Sequence, residues 1–261
     1  MLDAAQRAEA ADLLWAAQRD RSPVSPLTDS YPGIDVVDAY EIQLANIRRQ
    51  LADGATVRGH KVGLSSEAMQ QMMGVDEPDY GHLLSGMVLS EDVPVETGDY
   101  CYPRVEVEVG FLLGAALPGE GCTTADVLAA TEYVVPSIEL IDSRIKDWRI
   151  GLPDTVADNA SSAGVVLGAA RVRPSDLDLA DIPAVLHRRG QEAARGNTGA
   201  VLGDPTTAVA WLARKVAAFG VRLEAGHLVL PGSCTRAVDV RPGDDFHAEF
   251  GGLGSVSVIF Q

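Results

Sequence analysis

The chain has 261 residues, of which 46% are hydrophobic and 22% charged, and its formal net charge is −16. That length allows one or two domains, and that composition supplies a large core and argues against disorder. The acidic excess argues against nucleic acid or an anionic membrane surface as a partner.

The first residues contain acids and no apolar signal segment, and no apolar run reaches the length of a membrane span. A cytoplasmic protein is the expectation. Residues 3–19 have helical spacing, with Ala8, Ala11, Leu14 and Trp15 on one face. Three prolines between Ser22 and Pro32 interrupt the pattern. A second helix is predicted from Val36 to Leu51, with Val37, Tyr40, Leu44 and Ile47 as its stripe, and Gly54 ends it. Residues 1–55 thus read as a small helical lobe, in which exposed apolar residues such as Leu14 and Trp15 offer an oligomer interface.

Residues 56–261 read as one β-rich core. Strands are predicted over 57–64, 87–93, 104–115, 134–142, 163–168, 183–194, 227–231, 236–241 and 246–260, with turn signals such as Pro118-Gly119 and Pro242-Gly243 between them. Helices are predicted near 65–73, 124–132 and 205–218, the last capped by Asp204 with Pro205 in its first turn and carrying Val209, Leu212, Val216 and Phe219 on one stripe. Many strands with few helices indicate an α+β protein with a rolled or sandwiched β-core rather than a doubly wound sheet. Gly251-Gly252 and Gly254 precede no helix, so they suit a bulge or a close approach between strands.

The segment Arg104-Val105-Glu106-Val107-Glu108-Val109 carries the clearest chemical signal. On a strand, Glu106 and Glu108 share a face, with Cα atoms roughly 6–7 Å apart. Like charges that close need neutralising, and a hard divalent cation with oxygen ligands does it; a solvated acidic face is the alternative. Glu139, between Ile138 and Leu140 in a buried strand, supplies a third acid unless it pairs with Arg144. Three carboxylates suit Mg²⁺ or Mn²⁺, and the lack of a Cys/His cluster argues against zinc. Lys61, among apolar neighbours, either snorkels to the surface or faces a polar site. His60 faces the other way on a regular strand and reads as structural. His82, in a loop beside Asp79, forms either an acid/base dyad with it or an Asp-stabilised turn. His187, His227 and His247 stand alone without ligand spacing. Cys101, Cys122 and Cys234 are odd in number, lack CxxC spacing and read as packing residues.

Taken in order, Lys61-Val62-Gly63, Glu106-Val107-Glu108, Glu139-Leu140-Ile141-Asp142, Asp158-Asn159 with Ser161, Gly203-Asp204-Pro205 before Trp211-Leu212-Ala213, and Pro231-Gly232-Ser233 make a pattern over nearly the whole chain. It resembles the 2-hydroxypenta-2,4-dienoate (2-keto-4-pentenoate) hydratases, in the hydratase/decarboxylase branch of the fumarylacetoacetate hydrolase superfamily. The resemblance implies a mixed β-roll with an N-terminal helical lobe. It places metal ligands on Glu106, Glu108 and Glu139, an active-site lysine on Lys61, and pocket residues on Asp79 and Ser161. It implies a hydro-lyase of aromatic meta-cleavage catabolism, a 2-oxo or 2-hydroxy dienoic acid as substrate, and a homo-oligomer, with association with the next pathway enzyme also in view. The competing readings are a 2-oxo-3-hexenedioate decarboxylase of the same branch, a non-catalytic partner subunit, and a small-acid binding module. A dicarboxylate substrate would need a second cationic contact, for which Arg104, Arg144, Arg149 and Arg236 are candidates.

Overall fold

The structure is a computed structural model that describes residues 1–66, 70–71, 74–75 and 77–261. Helix α1 (Ala4–Asp20) starts at a capping box on Asp3, and α3 (Val36–Ala52) at one on Asp35, with the one-turn α2 (Leu27–Ser30) between them. The buried sides differ from the predicted stripes. On α1 they comprise Ala10, Ala11, Leu14 and Ala17, and Leu14 is only 3% exposed, so it is core rather than interface. On α3 the predicted Tyr40, Leu44 and Ile47 are buried as expected, whereas Val37 is exposed and Ala39 and Gln43 also face inward. The reason is that α3 also packs on α5 (Leu152–Ala157), a helix too short to leave a periodic signal.

Among the described residues the core has two sheets. The larger has the order β2-β1-β9-β4-β5-β6-β3, with β10 also on β4. Its strands are β1 (Val57–Gly63), β2 (Asp79–Leu84), β3 (Val88–Leu89), β4 (Arg104–Leu113), β5 (Thr131–Ile141), β6 (Ser162–Leu167), β9 (Leu228–Leu230) and β10 (Val238–Asp239). The smaller sheet runs β12-β11-β7-β8, from β7 (Pro183–Arg188), β8 (Gln191–Asn197), β11 (Asp245–Phe250) and β12 (Gly254–Ile259). Helices α4 (Thr124–Ala130) and α6 (Pro205–Ala217) pack on each other. Asp204 caps α6, whose Val209, Leu212 and Val216 are buried as the periodicity predicts.

Three differences from the sequence reading have local causes. The predicted strands 183–194 and 246–260 are each a hairpin, turned at Arg189-Gly190 and at Gly251 to Leu253, because residues with positive φ (Arg189, Gly190, Gly252) fold the chain back. The pair Gly251-Gly252 is therefore a turn rather than a bulge, and it is also a close approach, since a Cβ at Gly251 would lie 2.8 Å from Pro183 Cγ. Residues 79–84 are a fully buried strand, not a loop; all six positions are covered, so no alternation announces it. The helix predicted near 65–73 falls largely outside the described residues. Among the described residues, no helix is long and apolar enough to cross a membrane.

Candidate active site

Strand pairing gathers the predicted residues. In the antiparallel β4–β5 register Glu106 lies directly opposite Glu139, and Glu108 opposite Ser137. Glu139 is thus the cross-strand neighbour of one acid and the diagonal neighbour of the other. Like charges placed so destabilise a bare sheet. Carboxylate oxygens of Glu106, Glu108 and Glu139 nevertheless lie within 4.8 Å of one another. Glu108 and Glu139 are fully buried, and Glu106 lines a cavity of about 220 Å³.

Strand β1 delivers the cation. Lys61 Nζ lies 3.5 Å from Glu139 Oε2 and donates to the Ala160 carbonyl at 2.9 Å. The expected alternative, a surface-seeking lysine, is ruled out by its burial at 2% exposure. The β1–β2 register pairs Gly63 with Asp79, which puts Asp79 on the Lys61 face. A Cβ at Gly63 would sit 2.2 Å from Asp79 Oδ1 and 2.8 Å from Lys61 Nζ, so glycine there keeps the two side chains close. Asp79 Oδ2 accepts from Thr155 Oγ1 at 2.7 Å, while its Oδ1 is buried without a partner among the described residues. Asn159, Ala160 and Ser161 form a left-handed run (φ 54°, 50° and 56°) that turns the Ala160 carbonyl onto Lys61 and sets Ser161 in the cavity wall. Ser161 Oγ is likewise buried and has no partner among the described residues.

The remaining contacts fix the carboxylates. Ser162 Oγ donates to Glu139 Oε1 at 2.8 Å, and the Gly232 N–H donates to Glu108 Oε2 at 2.7 Å. Gly232 has φ 119°, and a Cβ there would strike Ser65 Oγ at 1.8 Å, so the N–H approach depends on glycine. Burial pushes the Glu106 carboxyl up to about 7, Glu139 and Asp79 add to this, and Lys61 and Arg104 oppose it. Burial and the neighbouring acids Glu139 and Glu106 hold Glu108 well above the usual carboxylate range, and burial raises Glu139 as well. For Lys61, burial favours the neutral amine, but Glu139, Asp79, Glu106 and Glu108 together hold it above its ordinary value. The group therefore stays charged.

A divalent cation fits this set. Among the described residues, Glu108 Oε1 and Glu139 Oε2 are buried with no hydrogen-bond donor, and every atom the three side chains offer an ion is a hard oxygen. Among the described residues no other group of three His, Cys, Asp or Glu side chains converges so closely. A larger cavity of about 450 Å³, beside Arg173 and Asp178, has no such convergence.

Two of the sequence alternatives fall away. Glu139 does not pair with Arg144, whose Nε binds Asp158 Oδ1 at 2.6 Å in a buried ion pair. His82 does not form a dyad with Asp79. Three residues apart on a strand, they face opposite sides, and His82 Nδ1 bonds Gln43 Oε1 at 2.8 Å. Thr155, Ser162 and the unpartnered indole N–H of Trp148 are site residues that sequence reasoning missed. Ser162 carried a signal through its neighbour Ser161; Thr155 and Trp148 carried none.

Residues 67–259 match the family described as fumarylacetoacetate (FAA) hydrolase C-terminal. The chain belongs to the fumarylacetoacetate hydrolase family. Within it, the chain is 44% identical to a 2-keto-4-pentenoate hydratase of Paraburkholderia xenovorans, over 98% of this chain and 95% of that one. It is 42% identical to a 2-oxo-hept-4-ene-1,7-dioate hydratase of Escherichia coli, over 96% of each. Its fold matches a 4-oxalocrotonate decarboxylase from Pseudomonas putida G7, solved with magnesium and adipate, at a TM-score of 0.97 and 34% identity, over 100% of this chain and 99% of that one. The resemblance drawn from the ordered motifs, and the α+β fold it implied, are thus borne out.

Proposed function

We propose that this chain is a divalent-metal-dependent hydro-lyase that adds water to 2-hydroxypenta-2,4-dienoate, giving 4-hydroxy-2-oxopentanoate. One observation carries the reading: three buried carboxylates and one buried lysine converge at a cavity in a chain whose full-length relatives are hydratases. Glu106, Glu108 and Glu139 are the residues that would hold the ion, Mg²⁺ or Mn²⁺. Such an ion supplies Lewis acidity toward a 2-oxo acid.

The chain's own groups do the rest. Lys61, held charged, draws in the anionic substrate and serves as a proton donor or electrostatic partner rather than as a base. The dienol loses its C2 hydroxyl proton and takes one at C5, becoming a 2-oxo-3-enoate whose C4 is electrophilic through conjugation. Water adds across C3–C4, its oxygen bonding C4 while C3 takes up a proton. Asp79 Oδ1, free of donors and facing the cavity, orients that water and takes its proton. Ser161 Oγ donates to the substrate. Leu64, Ile141 and Ile150 line the same cavity and keep bulk water out. On this reading residues 1–55 form a helical lobe against the 56–261 core. The enzyme acts in the cytoplasm, in aromatic meta-cleavage catabolism, as a homo-oligomer.

The decarboxylase reading rests on the solved structure of that name, but identity to the hydratases is higher, 44% against 34%. Incubation with Mg²⁺ and 2-hydroxypenta-2,4-dienoate should discharge the diene absorbance and yield the 4-hydroxy product. Release of CO₂ from 2-oxohex-3-enedioate, without hydration of the dienoate, would overturn the assignment.

A further inference from the structure

The left-handed run at Asn159, Ala160 and Ser161 is unfavourable for alanine and serine, and it persists only where its surroundings fix it. The site depends on it, because the Ala160 carbonyl accepts from Lys61 Nζ and Ser161 lines the cavity. Two neighbours hold the run, one on each side.

The first is β2, the outermost strand of the larger sheet among the described residues. A free strand edge presents N–H and C=O groups that need partners. The Asn159 side chain supplies them as a neighbouring strand would: its Oδ1 accepts from the His82 N–H at 2.7 Å, and its Nδ2 donates to the His82 carbonyl at 2.9 Å. Further along the same edge, Gln43 Nε2 of α3 bridges the Tyr80 and Val156 carbonyls at 3.0 and 2.6 Å. The close approach depends on Gly81, which pairs with Lys61 in the β1–β2 register. A Cβ at Gly81 would lie 2.4 Å from the Asn159 carbonyl oxygen. Asparagine also tolerates left-handed backbone better than most residues.

The second neighbour is Arg144. Its Nε and backbone N–H donate to the Asp158 carboxylate at 2.6 and 2.9 Å, its Nη2 to the Asp158 carbonyl, and its Nη1 to the Asp142 carbonyl at 2.5 Å. The Asp142 N–H then donates to the Ser161 carbonyl at 2.8 Å. Both ends of the run are therefore anchored, and the Asn159 amide fixes its middle to β2.

We propose that Asn159 is a positioning residue for the reaction: its amide locks the run against β2 and so sets the Ala160 carbonyl on Lys61 and Ser161 in the cavity wall. Ala160 and Ser161 line the cavity and Asn159 does not, so it acts through them. The proposal rests on the hydratase reading for the roles of Lys61 and Ser161.

The test is Asn159→Gly, which keeps the backbone freedom and removes both side-chain bonds. In the Mg²⁺-loaded enzyme it should lower kcat on 2-hydroxypenta-2,4-dienoate roughly 10- to 100-fold, the loss expected when a reacting group shifts by about 1 Å. KM, and the Mg²⁺ Kd read by calorimetry, should stay within about twofold, because the glutamates keep their own contacts. Gly81→Ala leaves the amide in place but pushes the run off β2, and it should repeat this pattern. Melting curves check that each variant folds. Hydrogen exchange reads the lock without turnover: in both variants the amides of His82 and of residues 158–162 should lose protection. Turnover by both variants within about twofold of wild type would overturn this inference and leave the hydratase reading standing. A parallel loss of Mg²⁺ affinity would also overturn it, by making Asn159 a support of the whole site. Failure of the wild type to hydrate the dienoate would sink the hydratase reading, and the lock would then stand or fall on whether Asn159→Gly exposes the Ser161 amide to exchange.

Discussion

Strand β1 separates two buried polar clusters of opposite character. Lys61 faces the three glutamates and Asp79; His60, one residue earlier, faces His82 and His227. On the lysine side, carboxylate oxygens converge within 4.8 Å with the Lys61 ammonium beside them, and Glu108 Oε1 accepts no hydrogen bond from the described residues. On the histidine side the rings pack against each other, at 4.6 Å and 5.6 Å between centres. Among the described residues both His60 nitrogens lack a partner, yet their neighbours are committed: Gln43 binds His82 Nδ1, and the Glu224 N–H donates to His227 Nδ1. Burial holds His60 well below its usual pKa and His82 at about 4, with His227 adding to both effects, so these imidazoles are neutral. Burial and unmet hydrogen bonds are common to both clusters. What marks a site is that unmet groups of one sign converge on a single point beside a cavity.

Substitutions can break that contrast. The largest effect is expected from Glu108→Gln or Glu139→Gln. Either should weaken Mg²⁺ or Mn²⁺ binding, read by calorimetry, by at least about 100-fold, since even groups supporting metal ligands cost 10- to 100-fold. Turnover should fall with it. His60→Gln, equally buried and close by, should leave metal affinity and turnover nearly intact; a comparable loss there would mean that the two faces are one site.

Lys61→Met comes next. Turnover should drop by about 10²–10⁴, the range for a positioned proton-transfer group. Metal affinity should hold or improve, because a cation beside the carboxylates has been removed. A metal-binding defect in this variant would show that Lys61 supports the acids rather than the substrate.

The two faces should also differ in pH dependence. Burial raises the three carboxyl groups, Glu106 to about 7, so below that pH the metal-free site retains protons. Cation binding must expel them, and Mg²⁺ affinity should rise from pH 5 to pH 8, with proton release seen as a buffer-dependent binding heat. The histidine face works through stability. His82 titrates near 6.5 when unfolded and at about 4 when folded, so the unfolded state binds the proton first as pH falls. The stability this provides is complete above 6.5 and is lost toward pH 4, on the order of 3 kcal/mol for such a shift. Melting curves of His82→Gln should show a shallower acid slope, and an unchanged slope would move the acid sensitivity elsewhere.

Local periodicity carried much of the site. Alternation in β4 put Glu106 and Glu108 on one face before any partner was known, and the same rule sent His60 and Lys61 to opposite sides. The Asp204 cap, the α6 stripe and the ordered motifs were equally local. Periodicity failed where every position is covered, as in β2, and where an element is too short to repeat, as in α5.

The sequence by itself determined which residues share a strand face, which acids need neutralising and which family the chain resembles, because these follow from spacing and residue order along one segment. Only the tertiary structure decided that Glu139 lies across from Glu106, that Asp79 joins Lys61 while His82 joins His60, and that Thr155, Ser161 and Trp148 line one cavity with them. Those placements depend on registers and turns linking segments far apart in the chain. A shift of one residue in either pairing would send the carboxylates or the lysine to the other face.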